Sequence, residues 1–512
     1  MLMRGRYVIT QAELGETGIL HDAAIHITHD KIDAVGSYEE LKNQYPGDQV
    51  LGTGRQLLMP GLIDAHTHGA GLSFVQRGVD YDYLETSLLD FECTAGLSPE
   101  LNSQLNAVRH LRNGCTTIHQ NNWTMPLYEK EVDDCAKMIE AYQKTGIRLA
   151  FSPGTRNKNL LAYDDEAFYA TLPEELQKKA AYLVTFDKQE AAAYYLQCFD
   201  ALYNRYNGDR VRLIYGPNWV QGSTDEFLQQ VGECAKARGN LPVHLHTLQT
   251  PVQKAYGLRT YGKSLVGHLD DLGLVRDNLV LGHAVYLDAA DIELLGAKNA
   301  SVTHHPSCNL ATRNGIAPVY EMVRRGVNVC LGIDEKGIND DEDILMEMRM
   351  AFFLHRVPSY DLNTPALTAF DILKMATQNS ARAVGYPGEI GAIAPGMQAD
   401  VILIDLEEIL EEPWASPEAK IQNLLLYRGL GRHVNTVVVA GKPVLENRAF
   451  TTVDVKALYA EAAEQASHGR TPEQEQYRTL LQGIKPYYVN WYNAWLREME
   501  QIAPFYPINS RF

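Results

Sequence analysis

The stretch LLMPGLIDAHTH at residues 57–68 decides the architecture. It is apolar enough for a strand buried on both faces, and it ends in polar residues, His66 and His68. Seven further runs repeat that form: CTTIHQ (115–120), IRLAFSP (147–153), VRLIYGP (211–217), LPVHLHT (241–247), NLVLGHA (278–284), ASVTHHP (300–306) and VNVCLGID (327–334). Longer amphipathic stretches lie between them, as in SPELNSQLNAVRHLRNG (98–114), where Ser98 is placed to cap a helix and Gly114 to stop it. Eight strands alternating with helices over ~270 residues predict an α/β fold, a (β/α)8 TIM-like barrel. A doubly wound open sheet is the alternative. The count of eight, with polar residues gathered at the strand ends, favours the barrel.

The flanks read differently. Residues 5–56 and 399–450 carry short alternating strands with Gly, Asn and Asp turns, ADVILIDL (399–406) among them. The ends of the chain are therefore expected to meet in one small β-sandwich. The expected division is 1–58 plus 390–455 for the sandwich, 59–389 for the barrel and 456–512 for a helical tail. That tail holds Tyr487, Tyr488, Trp491, Tyr492 and Trp495, a stripe suited to packing on the barrel or on a second subunit.

Composition removes several classes of function. The chain has 512 residues, 45% hydrophobic and 21% charged, with 46 basic against 64 acidic side chains and a formal charge of −18. Nothing in it offers the basic face that a phosphate backbone needs, so no nucleic-acid partner is expected. No apolar run reaches the ~18 residues of a membrane span, and the N-terminus shows no signal-peptide pattern. Seven scattered cysteines (Cys93, Cys115, Cys135, Cys198, Cys234, Cys308, Cys330) form no C-x-x-C pair, which suits reduced thiols in a cytoplasm. A homo-oligomer acting on a small molecule is the expectation.

The histidines carry the chemistry. His66 and His68 end the first strand, His244 and His246 the fifth, His283 the sixth, and His304 and His305 the seventh; Asp334 closes the eighth. Barrel enzymes keep their reactive groups at this C-terminal rim. Alternation along a strand puts His66 and His68 on one face, where two imidazoles converge as a metal ion requires. The same parity leaves His244 and His246 as rivals on the fifth strand.

MPGLIDAHTHG (59–69) resembles the signature of the amidohydrolase superfamily. LGHAVYL, THHPSCNL, LGIDE and ATQNSARAVG…GEIGAIAPGMQADVILID (376–405) are similar to the branch of chlorotriazine hydrolases and of guanine, adenosylhomocysteine and related cyclic-amidine deaminases. The resemblance implies a distorted barrel with a sandwich from both termini. It implies one divalent metal, zinc before iron, held by His66, His68, His246 and Asp334, with His283 beside it. A bridging lysine on the fourth strand, which other branches use for a second metal, is missing from VRLIYGPN. The implied reaction is hydrolysis of a non-peptide carbon–nitrogen bond in a small cyclic compound by a metal-activated water, with Asp334 moving the proton and His283 orienting the attacked centre. His119, His304 and Asn309 are the expected substrate contacts, and Gln76, Arg77 and Tyr81 lie in a loop that usually lines the site.

One position departs from the branch. Its deaminases have Glu three residues after the strand 5 ligand, whereas this chain has Gln249. A glutamine amide binds a ring or carbonyl but gives up no proton at neutral pH. Either another acid such as Glu335 replaces it, or the reaction needs no ring protonation. The departure weakens deamination of an aromatic amidine and raises hydrolysis of an amide, urea or activated carbon–heteroatom bond. Release of halide or alkylamine from a heterocycle is the alternative chemistry, and a catalytically inactive metal-binding relative is the third reading.

Overall fold

The computed structural model describes residues 1–91, 94, 96–123, 131–359 and 361–499. Cys93 and the end of the tail, residues 500–512, lie outside them. Strands β1 (Leu2–Ile9), β2 (Ile19–Thr28), β3 (Lys31–Ser37), β4 (Val50–Leu51) and β5 (Gln56–Pro60) form the N-terminal flank. The barrel strands are β6 (Leu62–Thr67), β7 (Cys115–Asn121), β8 (Arg148–Ser152), β9 (Val211–Leu213), β10 (Val243–Thr247), β11 (Leu279–His283), β12 (Ser301–His304) and β13 (Asn328–Leu331). The C-terminal flank adds β14 (Val401–Asp405), β15 (Val434–Val439), β16 (Lys442–Glu446) and β17 (Ala449–Phe450).

The stretch 57–68 is two strands, not one. Pro60 has no N–H for a ladder, and a Cβ on Gly61 would stand 2.1 Å from the Thr116 hydroxyl. The strand divides there: β5 joins the flanking sheet and β6 opens the barrel. In the flanking sheet β14 runs antiparallel to β5, with Leu403 opposite Leu58. This pairing joins the two ends of the chain in one nine-stranded sheet. Met3, Ile25, Leu58, Leu403 and Val438, from five of its strands, share a single buried apolar cluster.

The barrel consists of two four-stranded parallel sheets, β6–β9 and β10–β13. They meet through isolated bridges, Tyr215 with Val243 on one side and Thr67 with Asp334 on the other. These sparse seams are the distortion of the barrel. The second one sets Asp334 directly beside the strand that carries His66, and Asp334 N donates to His66 O at 2.8 Å. Helices cover the outside; in Pro99–Arg112, Ser98 Oγ accepts from Leu101 N as its cap.

Arg148 on β8 joins the barrel to the flanking sheet. It is wholly buried and donates to Asp400 through Nε at 2.6 Å and Nη2 at 3.0 Å. The tail helix Pro472–Glu498 packs on the chain's own barrel. Trp491 Nε1 donates to Tyr163 O at 3.2 Å, Tyr163 N donates to the Tyr492 hydroxyl at 2.9 Å, and Tyr488, Tyr492 and Trp495 are buried. The aromatic stripe is therefore occupied within one chain and gives no ground for a dimer. Among the described residues no helix is long and apolar enough to cross a membrane.

Candidate metal centre and substrate cavity

The end of β6 aims His66 and His68 toward the barrel axis, as its alternation requires. Asp334 Oδ1 lies 3.4 Å from His66 Nε2 and 3.2 Å from His68 Nε2, and Asp334 Oδ2 lies 3.5 Å from His283 Nε2. His246 joins from β10: its ligand atom and those of His66 and His68 all lie within 4.8 Å of one another. The other ring nitrogens are tied to fixed acceptors. His68 Nδ1 reaches Asn121 O, His246 Nδ1 reaches Asn218 O and His283 Nδ1 reaches Asn309 Oδ1, each at 2.9 Å. Donation to these oxygens leaves each Nε2 as a lone pair facing inward.

Both nitrogens of His66, and Nε2 of His246 and of His283, are buried with no hydrogen-bond partner among the described residues. Burial holds all three imidazoles below their ordinary range, so they are neutral. Asp334 goes the other way. Burial would raise its carboxyl, but the His66 and His68 imidazoles set against it hold it well below the usual range. Orphaned neutral imidazoles around an ionised carboxylate form a donor set that fits one divalent cation. The backbone bends to build it: φ is 71° at His283 and 72° at Asp334, left-handed values that cost such residues about 1–3 kcal/mol each.

Two buried carboxylates stand behind this set. Asp64, two residues before His66, accepts from His66 N and Ile333 N at 3.0 Å and from His110 Nε2 at 2.8 Å. It locks β6 to the turn before Asp334. The parity of D-x-H-x-H was the available signal for it; nothing in the sequence singled out His110 as its partner. Glu347 accepts from Ser307 N at 3.1 Å and from the Ser307 hydroxyl, and burial pushes its carboxyl up to about 8.

His68, His246, His283 and Asp334 form part of the wall of a cavity of about 330 Å³ lined also by Phe74, Arg77, Tyr81, Phe91, Trp123, Trp219, Gln249, Cys308 and Glu335. Cys308, which the sequence did not single out, donates its thiol to Asp334 Oδ2 at 2.9 Å. Gln249, Arg77 and Tyr81 line the cavity. Gln76 does not: its Oε1 accepts from Ser73 N and Arg109.

Three expected substrate contacts lie elsewhere. His119 uses both nitrogens behind the site, Nδ1 on Ala65 O at 3.1 Å and Nε2 on Ser152 Oγ at 3.0 Å. His304 leaves β12 toward the covering helix, where its Nε2 lies 2.9 Å from His355 Nε2. Alternation brings in its neighbour: His305 stacks on His66 with ring centroids 4.6 Å apart and places Nδ1 at 3.1 Å from His283 Nδ1. Asn309 orients His283 and lies outside the cavity lining. On β10, His246 lines the cavity and His244 lies behind it, stacked on His66 at 4.6 Å and 5.0 Å from His119. One inward face carries both strand 5 histidines, at successive depths along the barrel.

The chain matches the model of the amidohydrolase family over residues 57–444. It is 30% identical over 472 residues to 5′-deoxyadenosine deaminase of Methanosarcina mazei, covering 91% of this chain and 97% of that one. It is 31% identical over 465 residues to 5-methylthioadenosine/S-adenosylhomocysteine deaminase of Caldanaerobacter subterraneus subsp. tengcongensis, covering 88% and 95%. Among solved structures it resembles an adenosine deaminase from Xanthomonas campestris with bound zinc, at TM-score 0.76 and 25% identity over 91% of this chain and 98% of that one. An atrazine chlorohydrolase from Arthrobacter aurescens TC1 shares the fold at TM-score 0.74 and 22% identity, over 91% and 99%. With a D-A-H-T-H strand, a closing Asp334 and matches along almost its whole length, the chain belongs to the amidohydrolase family.

Proposed function

We propose that this member of the family is a mononuclear zinc hydrolase that removes an exocyclic amine from a small, planar nitrogen heterocycle. The observation that carries the reading is the convergence of unpartnered imidazole nitrogens of His66, His246 and His283 on ionised Asp334 beside an aromatic cavity. His66, His68, His246 and Asp334 would hold the ion. A bound divalent ion supplies a water acidic enough to ionise near neutral pH.

The chain's own groups do the rest. Asp334 accepts the proton of the attacking water and hands it to the departing nitrogen. His283, its tautomer set by Asn309, presents Nε2 to the same centre and orients it. Trp123 and Trp219, 4.8 Å apart at 67°, offer apolar faces that hold a flat ring and exclude water. The Gln249 amide hydrogen-bonds the ring without exchanging a proton with it.

Asp334→Asn should abolish turnover in a folded protein; retained turnover would remove Asp334 from the mechanism. The activity is tested by ammonia release and product mass with zinc-loaded protein against adenosine, 5′-deoxyadenosine, amino-pterins, amino-triazines, cyclic amides and ureas. Ammonia from an aminated ring is the expected result. A gain of one water on an amide or urea without ammonia would overturn it. Gln249 favours one second reading, release of halide or alkylamine from a heterocycle, which halide and amine detection on the triazines identifies.

A further inference from the structure

Next to the ligand set, the cavity contains a second polar feature that the proposed reaction does not use. Glu335 is 8% exposed, and its Oε1 has no hydrogen-bond partner among the described residues. The hydroxyl of Tyr81, in the loop after β6, is likewise buried and has no partner among the described residues. Both residues line the cavity. The nearest cations are engaged elsewhere. Lys336 Nζ donates to Ala70 O at 2.7 Å and to Glu342, while Arg77 donates to Thr94 Oγ1 at 2.8 Å and lies over the Phe74 ring at 4.1 Å. Among the described residues no ion pair reaches Glu335.

The surroundings make this arrangement costly. Phe74 and Phe91 stack at 3.6 Å and 5°, and Tyr81 meets Phe91 edge-on at 5.7 Å. A carboxyl oxygen buried in such a cavity loses its hydration, and Glu335 Oε1 receives no hydrogen bond from the described residues in return. A ligand that brings N–H donors and positive charge restores what burial removed, and the aromatic faces favour it when it is flat.

We propose that Glu335 and Tyr81 form a second anchoring subsite for a protonated or N–H-rich nitrogen. The substrate is then a heterocycle carrying a basic amidine- or guanidine-type group apart from the amine that leaves. This deepens the reading of the cavity as the substrate site and assigns Glu335 to recognition, not to proton transfer at the reacting carbon.

The test uses benzamidine and benzamide, flat probes of one shape that differ in charge. Binding to the zinc-loaded full chain is read by tryptophan fluorescence, since Trp123 and Trp219 line the cavity, and zinc content is measured in parallel. Wild-type protein should bind benzamidine about tenfold or more tighter than benzamide. Glu335→Gln should erase that preference while keeping its zinc, and Tyr81→Phe should weaken benzamidine severalfold. Equal binding of the two probes by wild type overturns the subsite without any variant, so a misfolded Glu335→Gln leaves the proposal decidable. A preference that survives intact in folded Glu335→Gln overturns it too. Selective binding without any ammonia release from the panel would overturn the deaminase reading and leave this subsite standing.

Discussion

At the scale of single residues, the strand 5 pair shows how two identical side chains on one face acquire different work. His246 stands at the rim with Nε2 free, while His244 is a layer deeper, within reach of Thr303 and Asn121. His246→Ala should therefore lose most of the bound metal, as measured by elemental analysis of dialysed protein. His244→Ala should keep its metal and lose thermal stability, because it opens a hole beneath His66. The opposite pattern would move the ligand to His244. Gly332 belongs to the same packing: a Cβ there would meet His305 at 2.8 Å and His66 at 3.0 Å, so the stacked imidazoles need a glycine beside them.

At the scale of elements, two buried acids hold strands and helices in register. Asp64 ties β6 to the turn before Asp334 through two backbone amides and His110. Asp64→Ala strands the His110 ring and both amides, and should cost about 3–5 kcal/mol in denaturant unfolding. A loss under 1 kcal/mol would show the clamp to be idle. Glu347 links its helix Ile344–Leu354 to the turn after β12. Its carboxyl sits at about 8 in the fold against 4.5 ordinarily, so the folded state binds the extra proton between those values. The stability from this group is complete below about 4.5 and is lost as pH rises toward 8, with a slope near 1.4 kcal/mol per pH unit. Glu347→Gln cannot ionise and should flatten the fall of Tm from pH 5 to pH 8. An unchanged slope would assign the fall to other groups.

At the scale of the whole molecule, one buried ion pair joins the two architectural parts. Asp400 on the approach to β14 receives Arg148 from β8 and also the amide of Ala440, at 2.7 Å. Removing one partner leaves a buried charge uncompensated, so Asp400→Ala should destabilise the chain by about 3–5 kcal/mol. It should leave the metal content of the surviving folded fraction intact, because the ligands sit at the opposite end of the barrel strands. Loss of metal in step with stability would show that sheet and site are coupled. The tail belongs to this scale as well, since Tyr488 and Tyr492 cover the insertion between β8 and β9 while Trp495 stacks on Tyr256 in the helix after β10.

The sequence by itself determined the alternation of eight strands with helices, the meeting of the flanks, and the inward H-x-H pair facing a closing aspartate. These are local: hydrophobic period, turn chemistry and parity are written residue by residue. Tertiary structure alone decided what depends on neighbours far along the chain. Thr116 packs against Gly61 where the stretch 57–68 divides, and His355 receives His304 on the outer face of β12 while His305 turns inward. Ala65 and Ser152 occupy both nitrogens of His119, and Tyr163 and Tyr256 receive the aromatic tail. A strand offers two faces and a rim several depths. Which one a histidine takes depends on the packing and hydrogen-bond partners that meet it there, and those partners lie tens to hundreds of residues away.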